Sequence, residues 1–273
     1  MTKIDSSTRA IITGGAGDIG LAIAKQLLQK GASVCLTDLR QDGLEAARDK
    51  LGAAGGKVEI FASDVRKLED IEACRDFALE RLGGVDLVFN NAGITHYGNF
   101  EDFTMEEIRR VFDVNLMGVI HGCHVFLPLL REQGSGHLIN ISSMASISGM
   151  PRQSTYCASK AAVRALSESL SAELRGTGVG VTWLIAGTIA TSFLARAETK
   201  RAETTTKLSS LMQRGGMSPE RVAANLIKAV EKDQGELRLT LDCEAYYQMN
   251  RLSPRLLRAS MGQVQRLANN WER

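Results

Sequence analysis

The stretch RAIITGGAGDIGLAIAKQLLQKG (Arg9–Gly31) joins a strand-like run to a helix-like run through a glycine-rich turn. Its first five residues are mostly apolar and β-branched, and the part after the turn repeats apolar residues with a helical period until Gly31. Between the two runs, Gly15, Gly17 and Gly20 satisfy the spacing G-x-G-x-x-G. A strand, a glycine turn and a helix in this order predict the first unit of a parallel α/β sheet.

Strand-like and helix-like segments alternate along most of the remaining chain. The strand-like runs are apolar on both faces, which is typical of a parallel sheet covered by helices on both sides. Right-handed crossovers turn such units into a doubly wound sheet, so we predict a single α/β domain with a Rossmann-like parallel β-sheet. The predicted strands are residues 9–13, 33–38, 57–64, 85–93, 137–143, 179–185 and 236–241, and the predicted helices are 21–31, 44–51, 68–83, 104–131, 154–175 and 218–232.

The composition argues against several functional classes. With 33 basic and 31 acidic residues the net charge is +2, which offers no general attraction for nucleic acid. The five cysteines form no C-x-x-C pair, so a reduced, cytoplasmic protein is expected. The N-terminal residues lack a signal-peptide pattern and no run of 18 apolar residues occurs, so neither secretion nor a membrane span is predicted.

The glycine turn is suited to holding a dinucleotide. Glycines let the backbone approach a pyrophosphate, and the helix that follows presents unpaired N–H groups to it. Asp38 lies 18 positions after Gly20, at the end of the second predicted strand, where a carboxylate can accept hydrogen bonds from both ribose hydroxyls. The same carboxylate would repel a 2′-phosphate, so NAD is preferred over NADP, although Arg40 nearby could accommodate that phosphate. Asp18, inside the turn, is expected to point away from the phosphates.

Tyr156 and Lys160 are spaced by one helical turn and therefore share a helix face. A nearby cation favours the charged form of a phenol, so we expect Lys160 to lower the pKa of Tyr156 from its usual value of about 10. A tyrosine made acidic in this way can exchange a proton with an alcohol. Ser143, at the carboxyl end of a predicted strand, can hydrogen-bond the substrate oxygen as charge develops on it.

Five motifs in order give the chain a family resemblance. TGGAGDIG, NNAG (residues 90–93), Asn115, Ser143 and YCASK (residues 156–160) follow one another as in the short-chain dehydrogenase/reductases, and the resemblance covers about residues 9–191. It implies Tyr156 as catalytic acid/base, Lys160 as its partner, Ser143 as the group that orients the substrate oxygen, and Asn115 as part of a proton path. Two departures are Asp18 where the family usually has glycine and Ala186 where it usually has proline.

The resemblance also implies the residues that hold the cofactor. Gly17 stands where relatives that prefer NADP often carry a basic residue, which supports NAD. The implied dinucleotide site consists of Thr13, Gly14, Gly17, Asp18, Ile19, Gly20, Asp38, Asp64, Val65, Asn91, Ala92, Gly93, Tyr156, Lys160, Gly187, Ile189 and Thr191.

The predicted function is therefore an NAD-dependent oxidoreductase that interconverts a secondary alcohol and a ketone. An inactive cofactor-binding regulator is one alternative, although loss of Tyr156 or Lys160 would have indicated it. A sugar-nucleotide epimerase or dehydratase of the extended relatives is another, but 273 residues leave little room for their larger substrate domain. The resemblance implies a homotetramer or homodimer, and no metal site, membrane contact or nucleic-acid partner is predicted.

Two regions break the alternation of strands and helices. Residues 191–216 are predicted to form a mobile substrate lid within a catalytic domain of residues 1–245, and residues 246–273 to form a basic helical extension that packs on the protein or, less favoured, lies on a membrane. Apolar residues in the lid and after Ser143 suggest a hydrophobic aryl, alicyclic or steroid-like substrate. These are Phe193, Leu194, Leu208, Leu211, Met212, Met144, Ile147 and Met150.

The histidines are not assigned to the catalytic set. His121 and His124 have a spacing that could hold a metal, but no further ligand pattern accompanies them, so packing is the preferred interpretation. His96 and Tyr97 follow the NNAG motif and could line the substrate pocket.

Overall fold

A computed structural model describes residues 2–52 and 54–270 of the chain. In chain order the strands are β1 (Arg9–Thr13), β2 (Ser33–Asp38), β3 (Val58–Ala62), β4 (Leu87–Asn90), β5 (His96–Tyr97), β6 (Gly136–Ile141), β7 (Val179–Ala186), β8 (Glu198–Thr199) and β9 (Glu236–Leu239). Within the described ranges seven of these strands form one parallel sheet in the spatial order β3-β2-β1-β4-β6-β7-β9, and the two short strands β5 and β8 pair with each other.

Helices follow most of these strands and cover both faces of the sheet. They are α1 (Asp18–Gln29), α2 (Gln41–Leu51), α3 (Leu68–Leu82), α4 (Met105–Phe112), α5 (Gly118–Gln133), α6 (Ser154–Glu173), α7 (Ala202–Gly215), α8 (Pro219–Glu231), α9 (Leu241–Leu252) and α10 (Pro254–Asn270). The strand order reverses between β1 and β4, so the sheet is doubly wound as predicted. The predicted fold class is confirmed.

Alternate side chains of each strand enter two separate apolar layers. Ile12, for example, packs in the layer beneath α1 and α8, whereas its neighbour Ile11 packs in the layer beneath α3, α5 and α6. This burial on both faces explains why the strands read as continuous apolar runs. Because the sheet is buried on both sides, its carboxyl edge is the place where polar side chains can gather around a ligand.

The helix predicted over residues 104–131 is continuous but not uniform. A π-helical turn, Asp113–Met117, separates α4 from α5 and contains the predicted site residue Asn115. The whole stretch Met105–Gln133 is long and apolar enough to cross a membrane by length and composition. In this fold, however, Val119, Cys123 and Phe126 pack into the apolar layer beneath the sheet.

The two irregular regions are folded in the structure. The predicted lid contains a 3₁₀ turn (Leu194–Arg196), β8 and α7. β8 pairs with β5, which joins the lid to the loop after β4. The predicted division at residue 245 falls inside α9, and residues 271–273 of the predicted extension lie outside the described residues.

Candidate active site

The glycine turn is built by close backbone contacts at particular glycines. Gly14 has a φ of +63°, and a Cβ on it would lie 2.9 Å from Ala92 Cα. A Cβ on Gly20 would lie 2.4 Å from the Gly14 carbonyl oxygen, so no side chain fits there. Gly17 adopts an ordinary φ of −80° and would bring a Cβ only to 3.2 Å from that same oxygen. The close contacts therefore fall on Gly14 and Gly20 more than on Gly17.

Asp18 and Asp38 lie on either side of this turn. Asp38 Oδ1 accepts a hydrogen bond from the Leu39 amide (2.8 Å), and its Oδ2 accepts one from the Ala16 amide (3.3 Å). Asp18 begins α1, and its Oδ2 accepts two hydrogen bonds of 2.7 Å from the backbone N–H and the hydroxyl of Ser192. The Asp18 carboxylate is thus bound to the segment that follows β7.

The end of β4 is tied to the end of β1. The Thr13 hydroxyl accepts hydrogen bonds from the amides of Asn91 (3.0 Å) and Ala92 (3.1 Å). The Asn91 side chain in turn donates to the carbonyl oxygens of Thr13 (2.9 Å) and Gly14 (3.1 Å). These contacts hold the NNAG turn directly against the glycine turn.

Tyr156 is buried near the start of α6 and interacts with the Ser143 side chain. Ser143 follows β6 and caps the 3₁₀ turn Met144–Ser146, accepting a hydrogen bond from the Ala145 amide at 3.2 Å. The Phe193 ring lies over the other side of the site, with its centroid 5.9 Å from that of Tyr156. The structure therefore brings the predicted tyrosine and serine together beneath an aromatic residue of the predicted lid.

Lys160 is buried one turn after Tyr156. Its ammonium donates a hydrogen bond to the Ile141 carbonyl oxygen at the end of β6 (2.8 Å) and lies 5.9 Å from the centroid of the Tyr156 ring. A lysine ammonium has three donors, so this contact leaves capacity for other acceptors. The Ile141 partner could not be identified from the sequence because it is a backbone oxygen from a distant strand.

The ionisation of this pair differs from the prediction. The pKa of Tyr156 is raised to about 12, because burial disfavours the phenolate more than the Ser143 hydrogen bond stabilises it. The pKa of Lys160 is lowered to about 8 by burial. The expected lowering of the Tyr156 pKa by Lys160 is therefore wrong for the protein on its own, since desolvation dominates the shifts of both groups.

Asn115 is fully buried in the π-helical turn and uses its whole amide. Its Oδ1 accepts from the Ile94 amide (2.8 Å), and its Nδ2 donates to the Ile94 carbonyl (2.9 Å) and to the Ser159 hydroxyl (3.0 Å). A Cβ on Gly93 would lie 3.3 Å from Asn115 Oδ1 and 3.5 Å from Lys160 Nζ. Asn115 and Lys160 thus flank the NNAG turn, and Asn115 holds this turn to α6.

The remaining predicted cofactor residues lie around the same edge of the sheet. Asp64 pairs with Arg66, which lowers the pKa of the Asp64 carboxyl, and the Val65 carbonyl accepts a hydrogen bond from His121 at 2.9 Å. After β7, the Gly187 amide donates to Leu239 O at 3.3 Å. Ile189 bridges to Met217, and Thr191 is buried.

The loop after β4 holds the lid segment through a charged cluster. His96 is buried, stacks on Phe103 with ring centroids 4.3 Å apart, and contacts Glu198 at 3.1 Å. Arg110 also pairs with Glu198. His96 is thus committed to the contact between β5 and β8, and burial lowers its pKa. Leu211, predicted to line the substrate site, is exposed on α7.

The open helix terminus fits a dinucleotide. Gly17 precedes α1 without a side chain that could cap it, so the first amides of α1 remain open to an anion. The glycine turn, the Asp38 carboxylate and the buried Lys160 together offer a phosphate site, a ribose acceptor and a further donor. The residues present therefore fit a nicotinamide dinucleotide.

Comparison with known sequences supports one family. A family model described as short chain dehydrogenase matches residues 8–202. "Probable oxidoreductase EphD" of Mycobacterium tuberculosis is 32% identical over 262 residues, which cover 93% of this chain but 44% of that protein. The chain therefore spans less than half of the EphD length. "Putative oxidoreductase SadH" of the same organism is 34% identical over 240 residues, covering 86% of this chain and 87% of that one.

Solved structures agree with this comparison. A short-chain dehydrogenase/reductase from Burkholderia phymatum in complex with NAD matches with a TM-score of 0.87 and 29% identity, covering 94% of this chain and 96% of that chain. An alcohol dehydrogenase from Thermococcus sibiricus complexed with 5-hydroxy-NADP matches with a TM-score of 0.72 and 28% identity, covering 85% and 95% of the two chains. The similar structures thus include complexes with NAD and with an NADP derivative.

Proposed function

Because the chain belongs to the short-chain dehydrogenase/reductase family, we propose that it is an NAD-dependent oxidoreductase that interconverts a secondary alcohol and a ketone. One observation carries this proposal. A buried tyrosine interacts with the Ser143 side chain, one turn before a buried lysine, at the sheet edge that also carries the uncapped glycine turn. Ligands bind at this edge in doubly wound sheets.

The proposed chemistry divides between the cofactor and the chain. When bound, the dinucleotide supplies the hydride chemistry, as acceptor in its oxidised form and donor in its reduced form. The protein handles the proton: the Tyr156 hydroxyl oxygen takes it from the alcohol in oxidation and returns it to the carbonyl oxygen in reduction. Ser143 hydrogen-bonds the same substrate oxygen and holds it near the phenol.

Lys160 makes the phenolate accessible in this mechanism. Its ammonium is fixed on the Ile141 carbonyl at 2.8 Å and stands 5.9 Å from the phenol ring, in a buried environment where charge interacts strongly. The high pKa of Tyr156 in the protein alone suits the acid role, in which the phenol must hold a proton. The base role needs the phenolate, which the Lys160 charge favours.

NAD is the proposed cofactor because a carboxylate ends β2, where it would meet the adenosine ribose of a bound dinucleotide. Asp38 ends β2 beside the glycine turn, and its Oδ2 accepts a hydrogen bond from the Ala16 amide at 3.3 Å. Arg40, which could attract a 2′-phosphate, is exposed and donates to Asp42 Oδ1 at 3.0 Å. A carboxylate at the end of β2 and an arginine already paired would both favour the cofactor without the extra phosphate.

The substrate is proposed to be hydrophobic. Ala145, Met150, Cys157 and Phe193 pack around Tyr156 and give the phenol an apolar surround. A secondary alcohol or ketone with an aryl, alicyclic or steroid-like body would bury its carbon skeleton there. We further propose that the enzyme acts in the cytoplasm as a homo-oligomer.

The deciding experiment measures the oxidation of a panel of secondary alcohols, and the reduction of the matching ketones, with NAD(H) and with NADP(H). We expect Tyr156→Phe to lower kcat by roughly 10²- to 10⁴-fold, the usual contribution of general acid–base catalysis, while dinucleotide binding persists. Tyr247→Phe, which alters a tyrosine stacked on Arg238, is the matched control. A Tyr156→Phe enzyme as fast as the wild type would refute the acid/base role, and equal or better rates with NADP would refute the cofactor preference.

A further inference from the structure

Asp18 connects the glycine turn to the cover of the catalytic tyrosine. Its Oδ2 accepts hydrogen bonds of 2.7 Å from both the amide and the hydroxyl of Ser192. Ser192 is followed by Phe193, whose ring lies 5.9 Å from the Tyr156 ring. Two charge-assisted hydrogen bonds from one residue fix that residue in orientation as well as in distance. The first turn of α1 is therefore bonded to the residue that precedes Phe193.

The segment after β7 is held in the same way at its other end. Asp242 Oδ2 accepts hydrogen bonds from the amide (2.9 Å) and the hydroxyl (2.7 Å) of Thr188. Asp242 belongs to α9, whereas Asp18 belongs to the helix that opens the dinucleotide turn. The two ends of the segment are thus anchored to different parts of the fold, and Asp18 supplies the link to the glycine turn.

An acidic residue here has a cost for anion binding. A carboxylate in the first turn of a helix competes with an anion for the positive end of the helix dipole. In this structure both hydrogen bonds to Asp18 Oδ2 come from Ser192, so the carboxylate is turned toward the lid segment. Asp18 therefore weakens the anion site while it orders the start of the lid segment. Such a residue is expected where an ordered lid segment aids substrate binding.

We propose that Asp18 is a positioning residue that acts through Ser192: it fixes the base of the lid and holds Phe193 over Tyr156 before the substrate binds. This inference rests on the proposed function, because it assigns the apolar space between Phe193 and Tyr156 to the substrate. The glycine turn and Phe193, which covers the proposed substrate space, are then linked through the two hydrogen bonds between Asp18 and Ser192. Removal of the Asp18 carboxylate releases the cover while relieving the repulsion toward the dinucleotide.

The first test uses hydrogen–deuterium exchange on the dinucleotide-free protein. The Ser192 amide donates directly to Asp18, so we expect a peptide spanning residues 188–197 to exchange on the order of tenfold faster in Asp18→Gly than in the wild type. Asp18→Asn keeps a neutral acceptor and Ser192→Ala keeps the amide donor. The exchange rate of this peptide in both variants should therefore lie between that of the wild type and that of Asp18→Gly. Asp5→Asn is the matched control, since Asp5 makes the same pair of bonds to Ser7 (2.9 and 2.7 Å) away from the site.

The second test separates positioning from general damage. In Asp18→Gly we expect the KM of the alcohol to rise about tenfold, as for loss of hydrogen bonds to a charged group. The Kd of NAD, measured by calorimetry, should stay unchanged or fall, because a repelling carboxylate is gone. A general structural defect would weaken both. Asp18→Asn should recover part of the alcohol KM.

Either of two results overturns the proposal: exchange of residues 188–197 in Asp18→Gly at the wild-type rate, or a Kd of NAD that weakens in parallel with the alcohol KM. A wild-type protein that binds no dinucleotide and oxidises no alcohol would instead refute the proposed function. The exchange experiment distinguishes these cases, because it needs neither ligand nor turnover.

Discussion

Burial shifts both members of the proposed catalytic pair toward their neutral forms. Burial raises the pKa of Tyr156 to about 12 and lowers that of Lys160 to about 8. Both shifts oppose the phenolate–ammonium pair that the sequence spacing predicts. The spacing shows that the two side chains share a helix face, but it carries no information on how completely β6 and the loop after it exclude water from them.

Lys160 should make stability depend on pH. Its pKa falls from 10.5 to about 8 on folding, so between these values the unfolded chain binds the proton that the folded chain has lost. The contribution of Lys160 to stability should therefore rise with pH from about 8 toward 10.5, and at neutral pH the buried charge costs on the order of 3 kcal/mol. We expect Lys160→Met to be more stable than the wild type at pH 7 and to lose more than half of this advantage by about pH 9.5.

Thermal unfolding of both proteins from pH 7 to 9.5 measures this effect and avoids the range above 10, where Tyr156 acts in the opposite direction. Lys207→Met, which changes an exposed lysine paired with Glu203, is the control. Parallel stability curves for the wild type and Lys160→Met would show that the buried ammonium carries no such cost.

At the scale of elements, the glycine turn gives a paired prediction. A Cβ on Gly20 would meet the Gly14 carbonyl oxygen at 2.4 Å, whereas one on Gly17 would stay at 3.2 Å from it. We expect Gly20→Ala to lower the free energy of unfolding by roughly 1–3 kcal/mol through overpacking and to abolish measurable dinucleotide binding. Gly17→Ala should keep both nearly unchanged. Denaturant unfolding and calorimetric titration with NAD measure the two effects, and similar behaviour of the two variants would contradict this account.

The sequence predicts elements well where the pattern is local. The apolar runs and glycine turns place β1, β2, α1 and α6 within a few residues of their observed bounds. The π-helical turn at Asp113–Met117 was not predicted, because it depends on Asn115 reaching Ile94 and Ser159 on other elements. β5 and β8 have two residues each, too few for a periodic signal.

The candidate site was predicted as a set of residues but not as a set of contacts. The order of the motifs predicts that Ser143, Tyr156 and Lys160 belong to one site, and the structure places all three at one edge of the sheet. Ile141, the partner of Lys160, and Ser192, the partner of Asp18, were not predicted. A backbone oxygen and a serine outside any motif leave no pattern in the sequence. Their roles depend on chain segments brought together by folding.

At the scale of the whole molecule, the C-terminal helix α9 reaches the candidate site. The Tyr246 hydroxyl in α9 donates to the Ser148 carbonyl (3.3 Å), and the Asn250 side chain donates to the Ile147 carbonyl (3.4 Å). Ile147 and Ser148 lie in the loop between Ser143 and Tyr156. The C-terminal part of the chain therefore supports a wall of the candidate substrate site.

This support should be visible in Tyr246→Phe. Loss of the hydroxyl removes its hydrogen bond to the loop, so we expect a decrease of about 1 kcal/mol in the free energy of unfolding and a lower Tm. The KM of the alcohol should rise while the Kd of NAD stays constant, because the loop packs against Tyr156. Calorimetry and steady-state kinetics measure these values, and an unchanged alcohol KM would show that α9 does not shape the substrate site.

The π-helical turn between α4 and α5 also constrains how this family member can change in length. Each residue of a helix advances the following side chains by about 100°, and the turn contains one more residue than an α-helical path would need. A chain shortened by one residue at Asp113–Met117 could continue as regular α-helix with the faces of α4 and α5 still in phase. Val119, Cys123 and Phe126 would then stay against the sheet, whereas Asn115 would lose the local geometry from which it reaches Ile94. A single-residue deletion that looks harmless in an alignment would thus keep the core of the protein and change its candidate site.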